Sequence, residues 1–222
     1  IQADVTLENA HDLLLKEDEL DDALAELADS YPTERRQALA EHLQQRYLNQ
    51  PPEQMGGVKE TIANYLHNFL TPDIAQVFCP GANTFELSDI DRGKIICVAM
   101  PQKFQTERRY VNTFLKMLFY THVLRRYNRP KEQRKDDNLL ILWADEAQRF
   151  MTSNEEGMSD YNIIDVIREA NAAVVAAAQS STSFLPPLGK DKAKVLLLNL
   201  RNRIIFKAAD DDGAQESADF LG

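Results

Sequence analysis

Five large apolar residues and an alanine, Leu139-Leu140-Ile141-Leu142-Trp143-Ala144, run straight into two adjacent carboxylates, Asp145 and Glu146. An unbroken apolar run of this length reads as a strand covered on both faces, the habit of parallel α/β sheets. Ligands of such sheets gather at the carboxyl ends of strands, which is where Asp145 and Glu146 fall. Two acids there are costly unless they serve a cation, a water or a substrate. In nucleotide-hydrolysing enzymes the first acid of such a pair helps hold Mg²⁺ and the second polarises the attacking water. The alternative is a core strand that simply surfaces into a polar loop, and residue pattern alone leaves both open.

A phosphate-cradling loop requires G-x-x-x-x-G-K-[S/T] between a strand and a helix. The sequence has eight glycines, and its two Gly-Lys pairs, Gly93-Lys94 and Gly189-Lys190, are followed by Ile95 and Asp191. Neither pair has a glycine five residues before its own. If Asp145 and Glu146 serve an ATPase, its phosphate loop lies outside these residues. The chain is then the second part of a nucleotide site, and on its own it is expected to hydrolyse no appreciable ATP.

A length of 222 residues permits one large domain or two small ones. The net charge of −10 excludes a surface that generally coats nucleic acid, while leaving room for a local basic stripe. Cys79 and Cys97 lack metal-ligand spacing and suggest a reducing compartment. His11, His42, His67 and His122 share no motif and read as structural or surface residues. No apolar run approaches the roughly 18 residues of a membrane helix, and there is no signal peptide. The expected location is cytoplasmic, with any inner-membrane attachment supplied by segments outside these residues.

The chain changes character near residue 80. Residues 1–80 read as an all-helical insertion module. Leu7, Leu13, Leu14 and Leu15 begin one amphipathic segment, and Leu20, Leu24 and Leu27 follow at helical spacing. Thr33, after Pro32, is the expected N-cap of a helix through Tyr47. Gly56-Gly57 is expected to precede another helix, and Thr71-Pro72-Asp73 combines cap, N1 proline and first-turn acid. Residues 81–222 alternate strand and helix: strand 95–100, helix 107–127, the acid-tipped strand, helix 161–170, strand 172–178, helix 192–200 and strand 203–207. That order implies α/β architecture with a parallel sheet, half of a nucleotide-binding domain.

Gln179 ends the strand after the acid-tipped one, where its amide can orient a lytic water or simply bond loop backbone. Arg168 can reach a neighbouring subunit's nucleotide, or be an exposed helix charge beside Asp165. Between Lys103 and Lys135, cations interleave with aromatics, a pattern compatible with single-strand binding. A helix burying Phe114, Leu115, Leu118 and Phe119 with its charges in water explains that stretch better. The acidic loop 152–160 reads as an ordinary surface loop.

The segments FELSDIDRGKIICVAMPQ, LLILWADEAQRF, VIREANAAVVAAAQS and LLLNLRNRIIFKAAD, in that order, resemble type IV secretion coupling proteins of the TraD/TraG type, within the FtsK–HerA group of P-loop motors. MGGVKETIANYLHNFLTPDIAQVF resembles the end of that family's helical insertion, while the first fifty residues contribute little. The resemblance implies a RecA-like P-loop ATPase sheet and a homo-hexamer that uses ATP and Mg²⁺ to move DNA through a central pore. It implies relaxosome and secretion-channel proteins as partners. By position it makes Asp145 the Mg²⁺-binding acid of the Walker B pair, acting through water, and Glu146 the catalytic one. Gln179 becomes the polar residue ending the next strand and Arg168 an intersubunit arginine finger, although its flanking residues differ from the family's. The absent Walker A loop is the clearest departure. A pilus-assembly-type secretion ATPase, a chromosome-processing DNA translocase and a non-catalytic partner-recognition module are the alternatives.

Overall fold

The computed structural model describes residues 6–30, 34–155, 157–206 and 211–221. Thr33, the expected cap, and Lys207, the expected end of the last strand, lie outside them. The backbone divides into two compact units, residues 1–84 and 85–222.

The first unit holds α1 (Leu7–Leu15), α2 (Glu17–Ser30), α3 (Glu34–Leu43), α4 (Pro52–Leu70) and α5 (Pro72–Phe78). Thr6 opens α1 reciprocally: its hydroxyl accepts the Asn9 N–H at 3.1 Å, and Asn9 Oδ1 accepts the Thr6 N–H. A π-helical turn, Gln44–Leu48, follows α3 and lets Tyr47 donate to the Leu14 carbonyl at 2.5 Å, tying this end to α1. Leu20, Met55, Phe69 and Ile74 are buried, and α1 packs against α2 and α4. Gly56 and Gly57 sit inside α4 instead of preceding it. The helix begins earlier because Pro52 takes N1, where its missing N–H costs nothing. Thr71 does hold the N-cap position of α5, but its hydroxyl makes no cap bond there.

The second unit is built on two parallel strands, β1 (Leu140–Ala144) and β2 (Ala172–Ala176), with Leu140 opposite Ala172 and Ala144 opposite Ala176. Helix α6 (Gln105–Tyr127) precedes them, and α7 (Asp160–Ile167) with a 3₁₀ turn, Arg168–Ala170, makes the crossover. After β2 come α8 (Leu185–Leu188), α9 (Lys190–Asn199) and α10 (Asp211–Leu221). Phe119 and Val123 of α6, Ile163 and Ile167 of α7 and Leu196 of α9 form one core with Leu140 and Ala144.

Three expectations are corrected here. β1 is covered on one face only: Leu140 and Ala144 are buried, whereas Ile141 is exposed and Trp143 is 72 % exposed. The core helices take one side, and the other fronts a groove of about 770 Å³ lined by Phe85, Ile90, Ile95, Ile141 and Trp143. Residues 95–100 form no strand, and Ile95 is 93 % exposed. Residues 203–206 form none either, with Ile204 and Phe206 exposed. An apolar run becomes a strand only when a neighbouring edge takes its backbone groups, and among the described residues β1 and β2 pair only with each other.

The α6 stripe is also rotated. Phe114 and Leu118 are exposed, while Lys116 is only 2 % exposed and Arg126 is buried as well. Buried cations persist only with partners. Arg126 donates to Asp137 and to the Asn138 carbonyl at 2.7 Å. Lys116 Nζ donates to Asp160 Oδ2 and to the Phe150 carbonyl, each at 2.5 Å. Asp160 also accepts from the Tyr120 hydroxyl at 2.7 Å and from Thr152 N–H at 2.7 Å. Burial pulls the Lys116 ammonium below its usual range against the pull of Asp160. The same burial, beside that carboxylate, pushes the Tyr120 hydroxyl up.

This buried cluster fastens the loop after the acid pair to α6. Asp160→Asn should therefore cost about 3–5 kcal/mol of unfolding free energy, because it strands a buried ammonium. Lys116→Met combined with Asp160→Leu should lose much less than the single change. Urea denaturation of the chain and both variants measures this. Equal losses would contradict the clamp.

Candidate functional site

The turn after β1 is stapled to β2 on both sides of the acid pair. Ala177 N–H donates to the Ala144 carbonyl and Ala147 N–H to the Ala177 carbonyl, both at 2.9 Å. Between these bonds the chain must reverse quickly, and Glu146 does so in the left-handed region, at φ 52° and ψ 43°. For a non-glycine residue that conformation is uncommon and costs about 1–3 kcal/mol, a cost found most often at functional sites. A 3₁₀ turn, Ala147–Arg149, follows, with Ala147 and Phe150 buried as its anchors.

Asp145 is exposed and lines the apolar groove. Its Oδ1 accepts the Glu146 N–H at 3.0 Å, which fixes the carboxylate at the strand end. Glu146 is partly exposed and held by two side chains. Arg149 Nε donates to its Oε2 at 2.9 Å and Gln148 Nε2 to the same oxygen at 3.0 Å. The Gln179 amide lies near enough to add the smallest of the pulls that lower the carboxyl's pKa. The Arg149 guanidinium, first among these, holds the Glu146 carboxyl below its ordinary range, so it is ionised throughout neutral pH.

The parallel register explains why Glu146 and Gln179 meet. Ala144 and Ala176 are aligned, and each residue sits shortly beyond its own strand end. Arg168 does not join them. It is exposed in the turn before β2, at the amino end of the sheet, where Leu140 N–H donates to Asn171 O at 3.0 Å. Each strand has five residues, so Arg168 lies about 15 Å away along the strands at about 3.3 Å per residue. Its backbone is well fixed. Asn171 follows in the left-handed region and donates from its side chain to Asp137 O at 2.8 Å, and Arg134 donates to the Glu169 carbonyl. Among the described residues no ion pair joins Arg168 to Asp165.

Gln148 and Arg149 were not singled out in the sequence, although Arg149 stands three residues after Glu146, the spacing of facing side chains in a helical turn. Among the described residues, no group of three or more His, Cys, Asp or Glu side chains could hold a metal ion. One exposed carboxylate still suits Mg²⁺, which is commonly held by one or two carboxylates with waters and substrate phosphates. Asp145 fits that partial role.

Residues 159–222 match a family model described as the type IV secretion-system coupling protein DNA-binding domain. The match takes in the crossover helix, Arg168, β2 and Gln179, and begins beyond the acid pair. No curated protein and no solved structure gives a significant match to the chain. Over those residues the chain is similar to the DNA-binding domain of type IV secretion coupling proteins, the family that its sequence motifs also resemble.

Proposed function

We propose that this chain is the Walker B side of a RecA-like ATPase in a hexameric translocase that delivers DNA or nucleoprotein to a type IV secretion channel. The observation that carries the reading is the acid pair itself, open to solvent at the carboxyl end of a parallel strand, on a chain with a coupling-protein domain. That domain supports DNA as the partner and secretion as the process. The helical residues 1–80 are the insertion in this scheme, and a phosphate loop from sequence beyond these residues completes the site.

In this reading, Asp145 would hold Mg²⁺, and bound Mg-ATP would supply the phosphoryl group under attack. Glu146 accepts the proton of the attacking water, its carboxylate being ionised at neutral pH. Gln179, which ends the neighbouring strand on the same side, orients the same water. Arg168, remote from its own acid pair, offers its guanidinium to a neighbouring subunit's site.

The test is ATP hydrolysis by the native protein with and without single-stranded DNA. Severalfold stimulation by DNA is expected. Turnover indifferent to DNA favours a pilus-type secretion ATPase, and DNA binding without turnover favours a recognition module.

A further inference from the structure

Glu146 cannot choose its own orientation. Its backbone is set by the left-handed turn and the two staples to β2. Its side chain is one-third exposed. What fixes the carboxylate is a pair of donors converging on one oxygen, Arg149 Nε at 2.9 Å and Gln148 Nε2 at 3.0 Å. Both belong to the short 3₁₀ turn, and Arg149 N–H also donates to the Glu146 carbonyl at 2.9 Å. The arginine is thus tied to the glutamate through both backbone and side chain.

We propose that Arg149 is a positioning residue for Glu146. It clamps one carboxylate oxygen and so sets the direction in which the carboxylate faces. Arg149 acts through Glu146. A planar guanidinium does this better than an ammonium, because its Nε–H has a fixed direction along the carboxylate plane. The inference rests on the reading of Glu146 as the group that accepts a water proton.

Two measurements test it together. In the 222-residue chain labelled with ¹⁵N-arginine, the Arg149 Nε–H resonance should shift on Glu146→Ala, which removes its acceptor, and exchange faster with water. In the native protein, Arg149→Ala should lower kcat about tenfold or more and leave KM for Mg-ATP within about twofold, as expected when geometry is lost without ground-state binding. Arg149→Lys should recover part of that loss. A resonance indifferent to Glu146→Ala overturns the clamp whatever the activity. A responsive resonance with normal kcat in Arg149→Ala overturns the positioning role. Wild-type protein showing no hydrolysis at all contradicts the proposed function instead, and the positioning role falls with it.

Discussion

Glu146→Gln in the native protein should lower the rate of ATP hydrolysis by about 10²–10⁴, the usual contribution of a positioned general base, while Mg-ATP affinity stays close to wild type. The substitution keeps the shape of the side chain and the acceptor oxygen for Arg149 and Gln148, so the turn should survive. It removes the charge that takes up the proton. Asp145 retains its own bond to the Glu146 N–H, so the side proposed to hold Mg²⁺ is untouched. Phosphate release and nucleotide titration on the same preparations separate the two effects. A variant that turns over like wild type would mean that Glu146 is a turn residue whose backbone strain serves something else.

Arg168→Ala should have a comparable or larger effect, about 10³–10⁵ in kcat if the residue works as an arginine finger. The geometry restricts where it can act. It sits at the opposite end of the strands from Glu146, on a turn held by Asn171 and Arg134, so its own site is out of reach. In the proposed hexamer, a neighbouring subunit's site is the one left for it to serve. Mixing Arg168→Ala with Glu146→Gln protein should then restore part of the activity, because some interfaces combine an intact Arg168 with an intact Glu146. Failure to recover activity in oligomers shown to have mixed would leave Arg168 as a solvent-facing charge.

The parts of this fold that sequence exposed are those set by local pattern. The apolar runs give β1 and β2 to within two residues, and helical periodicity with the Asn128-Arg129-Pro130 stop gives α6. That Glu146 and Gln179 lie at the same end of the sheet follows from strand order, since parallel neighbours end together. What escaped depends on partners distant in sequence. Lys116 looks like a surface cation until Asp160 arrives from 44 residues away to bury it. Arg126 likewise waits for Asp137. The one-sided cover of β1 and the unpaired segment 95–100 depend on which edges and faces have neighbours, which no window of residues reveals. Arg149 was within reach, at three residues' spacing, but an exposed ion pair gains importance only once the Glu146 backbone is known to be left-handed.

The most direct measurement is a structure of the native protein with Mg²⁺ and a non-hydrolysable ATP analogue. The triphosphate is expected at the carboxyl end of β1, with the ion's water shell on Asp145 and the terminal phosphate facing Glu146 and Gln179. A nucleotide seated elsewhere, with Asp145 and Glu146 facing only solvent or another protein segment, would contradict the account.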